Sequence, residues 1–165
     1  MDRSKRIIFI SNCILNQNVV VNPLARSSGA YSDIVKTLMD YGIGIHQLPC
    51  PEFRHLGLER KPMTKEEYDT SEYRELSRTI GIDTVNIIKE YLNHDYNIIG
   101  LIGINNSPSC SISGDMGIMI EEILAVAGQN DIYLKTIDVP IDYYDGDKAV
   151  GFIKRLKNFV EENIK

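Results

Sequence analysis

Positive charge is in short supply in this sequence. Its 18 Lys and Arg stand against 23 Asp and Glu, a formal charge of −5, and no basic stripe runs along the chain. Polyanion binding needs a concentrated positive surface, so a nucleic-acid polymer is not an expected partner. Long apolar runs are missing as well. No segment approaches the roughly 20 apolar residues of a membrane span. Met1-Asp2-Arg3-Ser4-Lys5-Arg6 leads into an apolar run too short for a secretory signal. A cytoplasmic protein without a membrane partner is expected, in a compartment where thiols stay reduced. Cysteine is scarce, with Cys13, Cys50 and Cys110 the only three. An odd number forbids a complete disulfide set, and the absence of any Cys-x-x-Cys pair weakens a zinc reading. Internal repeats, low-complexity tracts and linkers are absent too, so the 165 residues read as one domain, 1–165.

What is present is an ordinary globular composition, 43% hydrophobic and 25% charged, enough to bury a core without metal or disulfides. Residues 6–12 are continuously apolar and β-branched, the pattern of a strand covered on both faces. Strands are also expected at 43–48, 97–104 and 132–139. A helix is expected from Ser27 or Ser28 to about residue 41, stopped by Gly42. A second starts at the capping box Thr64-Lys65-Glu66-Glu67 and runs to about residue 94, with a break near Gly81. A third starts at Ser113 or Asp115 and ends before Gly128, and a fourth covers about 148–162. Residues 51–63 read as irregular. The alternation predicts a single doubly wound α/β domain, flavodoxin- or Rossmann-like, with helices on both faces. Its sheet is four-stranded, mainly parallel and ordered 2-1-3-4.

Each cysteine follows a strand. Ser11-Asn12-Cys13 ends the first, Pro49-Cys50-Pro51-Glu52 the second, and Asn105-Asn106-Ser107-Pro108-Ser109-Cys110 the third. In a parallel sheet these loops open at one edge, where ligands bind at the reversal of strand order. Taken singly, each cysteine is explained as an isolated buried thiol. Three at one edge suit a cubane iron–sulfur cluster better, since four irons with three protein ligands leave one iron open. An open iron is a Lewis acid that a soft atom such as sulfur prefers.

In order and spacing these residues resemble the thiouracil desulfidase (TudS-like) family. The features that carry the resemblance are Ser11-Asn12-Cys13, Cys50-Pro51-Glu52 with Gly57-Leu58 and Arg60-Lys61-Pro62, and Ser107-Pro108-Ser109-Cys110. It covers most of residues 7–110; the last third matches only as generic α/β. The resemblance implies a [4Fe-4S] cluster held by Cys13, Cys50 and Cys110. The open iron would take sulfur from a thiolated pyrimidine while water supplies oxygen, releasing hydrogen sulfide without net redox. The chain departs from the family pattern in two places. Residues 14–25 lack the Gly and Arg-Tyr-Asp-Gly of many members, and Ser111 stands where Gly is common.

Glu52, two residues from Cys50, is the candidate general acid/base; a solvated carboxylate beside Arg54 or Arg60 is its plain alternative. Ser107 and Ser109 are candidates to orient substrate or protonate departing sulfur, though Ser-Pro is also an ordinary turn. Asn105 and Asn106 suit hydrogen bonding to a pyrimidine edge, and Arg26 suits an anionic group. His46 reads as a core histidine and His55 as a fallback ligand. Gly114 and Asp115 would open a helix whose amides face a negatively charged ligand. A small phosphatase or arsenate reductase is a disfavoured alternative, because its loop needs an arginine six positions after the first cysteine and Val19 stands there. A flavodoxin-like FMN loop is not supplied by residues 14–21. The non-catalytic alternative is an iron–sulfur or sulfide-carrier or sensor protein. The expected partner is a small thio-substrate; monomer and homodimer are both open.

Overall fold

A computed structural model describes all residues, Met1–Lys165. The chain runs β1 (Arg6–Ile10), α1 (Asn12–Leu15), α2 (Ser32–Asp40), β2 (Gly44–Gln47), α3 (Pro51–Leu56), α4 (Lys65–Tyr68), α5 (Ser71–Leu92), β3 (Asn97–Ile104), α6 (Ile118–Gln129), β4 (Thr136–Val139) and α7 (Val150–Asn163). The four strands are all parallel, in the order β2-β1-β3-β4, as the alternation predicts. Phe9 is level with His46 on one side and with Leu101 on the other. Helices α5 and α6 pack together on one face, and α2 and α7 on the other. Between them, six apolar residues of β1 and β3 (Ile8, Phe9, Ile10, Ile99, Leu101, Ile102) are fully buried. Continuous apolar strands are what two covered faces demand.

Several boundaries differ from the expectation, each for a local reason. Residues 51–56 form α3 rather than an irregular stretch. Pro51 sits at its first position, Cys50 caps it by accepting the Phe53 amide on Sγ, and Gly57 ends it at φ 76°. The break in the long helix falls at Asp69-Thr70, where the Thr70 hydroxyl starts α5 by accepting the Tyr73 amide. Gly81 lies inside α5, where a Cβ would come within 3.1 Å of the Glu122 carbonyl on α6; it permits close packing rather than a break. Helix α2 begins at Ser32, not at Ser27 or Ser28, because the Asp145 carboxylate from the loop after β4 accepts from the Ser32 and Asp33 amides. Helix α6 begins at Ile118, not at Ser113 or Asp115, with Gly117 pressed onto the Ser109 backbone. The fourth strand is shorter than expected, and α1 sits inside the stretch read as loop.

Candidate functional site

The carboxyl ends of β1, β2 and β3 surround a cavity of about 440 Å³. Cys13, Cys50 and Cys110 all line it, as do Glu52, Arg26, Asn105, Asn106 and Ser107. Each cysteine is delivered by a different device. Cys13 lies in α1, directly past β1, and its carbonyl accepts from the Gln17 side chain at 2.8 Å. Cys50 is the cap of α3, with Phe53 N 3.4 Å from its sulfur. Cys110 sits on a turn whose Cys110 and Ser109 amides both point at Ser107 Oγ, at 3.0 and 3.3 Å. A brace from β4 holds the rest of that turn: the Asp138 carboxylate accepts from the Ile112 and Ser113 amides and from the Ser113 hydroxyl.

All three thiols are pushed up from the usual cysteine range. Burial, then the charges of Cys50 and Glu52, takes Cys13 to about 12. Burial raises Cys50 against the opposing Phe53 amide. Cys110 rises well above its ordinary value through burial, followed by Cys13, Cys50 and Glu52. Thiols of this kind are protonated and poor nucleophiles. A cation placed among them would remove the desolvation and mutual repulsion together, since metal coordination deprotonates thiols. The donor set therefore fits a metal–sulfur core and does not fit a free cysteine nucleophile. Ser11 Oγ adds to that fit. It is fully buried, has no oxygen or nitrogen partner, and is set where it opposes the rise of Cys110. No three His, Cys, Asp or Glu side chains converge on one point close enough to hold a single ion.

Glu52 is not a solvated carboxylate. Its side chain is 13% exposed, its Oε1 accepts from Tyr68 Oη at 3.0 Å, and Arg60 Nε lies 3.6 Å from the same oxygen. Arg60 is itself 3% exposed and donates to the Gly57 and Val19 carbonyls. Ser109 is placed away from the cavity wall. It is fully buried, and its hydroxyl is 2.6 Å from Tyr73 Oη. Arg26 is neither solvated nor unoccupied: one amino group donates to the Pro140 and Ile141 carbonyls. Asn105 donates from its side chain to Ser113 Oγ, and Asn106 takes a left-handed backbone conformation at φ 63°. His55 packs on Tyr73 and His46 on Phe9; neither lines the cavity. Asp115 pairs with Lys65 outside it, and no helix begins at Gly114 or Asp115.

Sequence reasoning missed the other half of the walls. Val19, Val20, Val21, Pro23, Leu24 and Ala25 form an apolar side, and Ile141 and Tyr144 reach in from the loop after β4. Gln17 ties the first loop together by donating to Cys13 and accepting from the Arg26 amide. Its spacing of four from Cys13 was a readable hint. Nothing in the sequence pointed to Tyr68; only the Thr64 capping box marks the short helix that carries it.

Fold and site together define a doubly wound α/β protein with a three-thiol cavity at its topological switch point. Over 159 residues the chain is 42% identical to the uncharacterized protein MJ0003 of Methanocaldococcus jannaschii, covering 96% of this chain and 99% of that protein. The chain belongs to the same family as that archaeal protein. No family model and no solved structure matches it.

Proposed function

We propose that this protein is an iron–sulfur-dependent desulfidase. It converts a thiolated pyrimidine, or a related small thio-compound, to the oxo form with release of hydrogen sulfide. One observation supports the reading above all: the chain's only three thiols, from three separate strand ends, line one cavity together with Glu52. Cys13, Cys50 and Cys110 would hold a [4Fe-4S] cluster. A core of several irons needs thiols arranged around it rather than meeting at one point, and three ligands leave one iron for substrate. When bound, the cluster supplies an open Lewis-acidic iron with a preference for sulfur.

The chain's own residues supply the rest. Tyr68 and Arg60 occupy Oε1 of Glu52, leaving Oε2 to take a proton from the attacking water. Ser107 Oγ already accepts from two amides, so its proton is free to pass to departing sulfur. Asn105 and Asn106 address the ring edge, and Arg26 holds the rim. Ser109, engaged with Tyr73, steadies the Cys110 turn from behind. The apolar side keeps bulk water to a minimum around the reacting carbon. A C=S bond is exchanged for C=O, both protons of water leave with sulfur as hydrogen sulfide, and no electrons are transferred.

Anaerobic reconstitution, counting of iron and acid-labile sulfide, and a sulfide-release assay on thiolated pyrimidines test this. The expected result is about four irons per chain and turnover of at least one thio-compound. Full loading with no turnover across the panel would favour a sulfide carrier or sensor.

A further inference from the structure

Tyr144 is the one large aromatic that lines the cavity and remains substantially exposed, at 43%. It belongs to the loop after β4, outside the region that carries the family resemblance. That loop is fastened at both ends. Arg26 donates to the Pro140 and Ile141 carbonyls on one side of Tyr144. On the other side, Asp145 accepts from Ser32, Asp33 and Tyr143, and Gly146 donates back to Asp33 Oδ2 at 2.7 Å. The ammonium of Lys148 lies 5.1 Å from the Tyr144 ring centroid, yet Lys148 does not line the cavity whereas Tyr144 does. A cation from outside the cavity thus sits over a ring that borders the hollow.

An aromatic side chain on a fastened loop at a cavity wall suits a flat unsaturated ligand better than a small aliphatic one. We infer that Tyr144 is a specificity-determining residue, the platform on which a planar heteroaromatic ring stacks when its thio group is turned toward the cysteines. The inference deepens the desulfidase reading and rests on it for the orientation of the ring. The apolar Val19–Ala25 side offers no competing aromatic surface, and Tyr31, the other tyrosine of the wall, is 1% exposed with Arg26 over its ring.

The test compares the cluster-loaded wild type with Tyr144→Ala, Tyr144→Phe and Lys148→Ala. Anaerobic calorimetry with 2-thiouracil, uracil and thioacetamide supplies the binding constants. Tyr144→Ala is expected to weaken both pyrimidines roughly 5- to 150-fold, the range of one base–aromatic stack. Thioacetamide should change by less than about twofold. Tyr144→Phe should keep wild-type affinity, and Lys148→Ala should lie within about threefold of it. Iron content and Tm should be unchanged, because the side chain is half-exposed. Equal losses for thioacetamide and the pyrimidines, or no loss in Tyr144→Ala, would overturn the inference. Uracil binding needs no turnover. A wild type that binds uracil through Tyr144 but releases no sulfide would sink the desulfidase reading alone, and a wild type that binds no pyrimidine yet releases sulfide from another thio-compound would sink the stacking inference alone.

Discussion

Gly117→Ala tests the architecture of the site through one methyl group. Gly117 has φ −70° and ψ 150°, a conformation open to alanine, so the substitution carries no intrinsic backbone penalty. Its cost comes from space alone. A Cβ there would sit 2.2 Å from the Ser109 carbonyl carbon and 2.4 Å from the Cys110 amide nitrogen. Those atoms must retreat beyond 3.0 Å, and they are backbone, not a flexible side-chain end. Overpacking a tight interior costs about 1–3 kcal/mol, and immovable neighbours place this case at the upper end. For a chain of this length, 3 kcal/mol lowers Tm by roughly 6–12 °C. The retreat also shifts Cys110 relative to Cys13 and Cys50, so, on the cluster proposal, iron loading should fall along with stability. Gly128→Ala, in the same helix with nothing within 4 Å of its added methyl, is the control. Relief of glycine's backbone entropy there should stabilise by about 0.5–1 kcal/mol. Urea titration of the apo-proteins and an iron count on the reconstituted ones measure both effects. Wild-type Cm and full iron in Gly117→Ala would refute the claim that α6 presses on the Cys110 turn.

Removing any one thiol, by Cys13→Ala, Cys50→Ala or Cys110→Ala, should abolish the brown colour and the cluster's visible absorbance; retention in one variant would show that cysteine is not a ligand. Glu52→Gln should keep the cluster and lower turnover by about 10²–10⁴-fold, the worth of a general acid/base, and an unchanged rate would remove Glu52 from the chemistry. Asp145→Asn weakens the cap on α2 and should cost about 1 kcal/mol at neutral pH. Burial alone would raise the Asp145 carboxyl, but hydrogen bonds from Tyr143, Ser32 and Asp33 outweigh it and hold it below 3.8. Its stabilisation is thus present above that value and fades as pH falls through the lower folded one. The wild-type and Asn curves should converge in acid, as urea titrations at neutral pH and below pH 3 will show.

The sheet and its strand order were legible because β1 and β3 are unbroken apolar runs, and alternation with helices leaves little topological freedom. The convergence of the cysteines on one edge followed from parallel direction alone. Short and supported elements were not legible. Helix α3 has six residues and no room for a periodic stripe, so Pro51 and Gly57 were its only marks. The starts of α2 and α6 are set by Asp145 and by the Ser109 backbone, contacts made by distant or looped residues. Glu52 was found by its nearness to Cys50, but its partner Tyr68 lies sixteen residues on and is fixed only by tertiary packing. Ser109 was assigned to the cavity from chain proximity. The tight turn around Ser107 sends its hydroxyl inward to Tyr73 instead.

Because all four strands run the same way, the walls of the hollow hang from one rim of the sheet, and the opposite rim contributes nothing to them. Substitutions at exposed positions near the strand beginnings, such as those around Asn93, therefore leave those walls untouched.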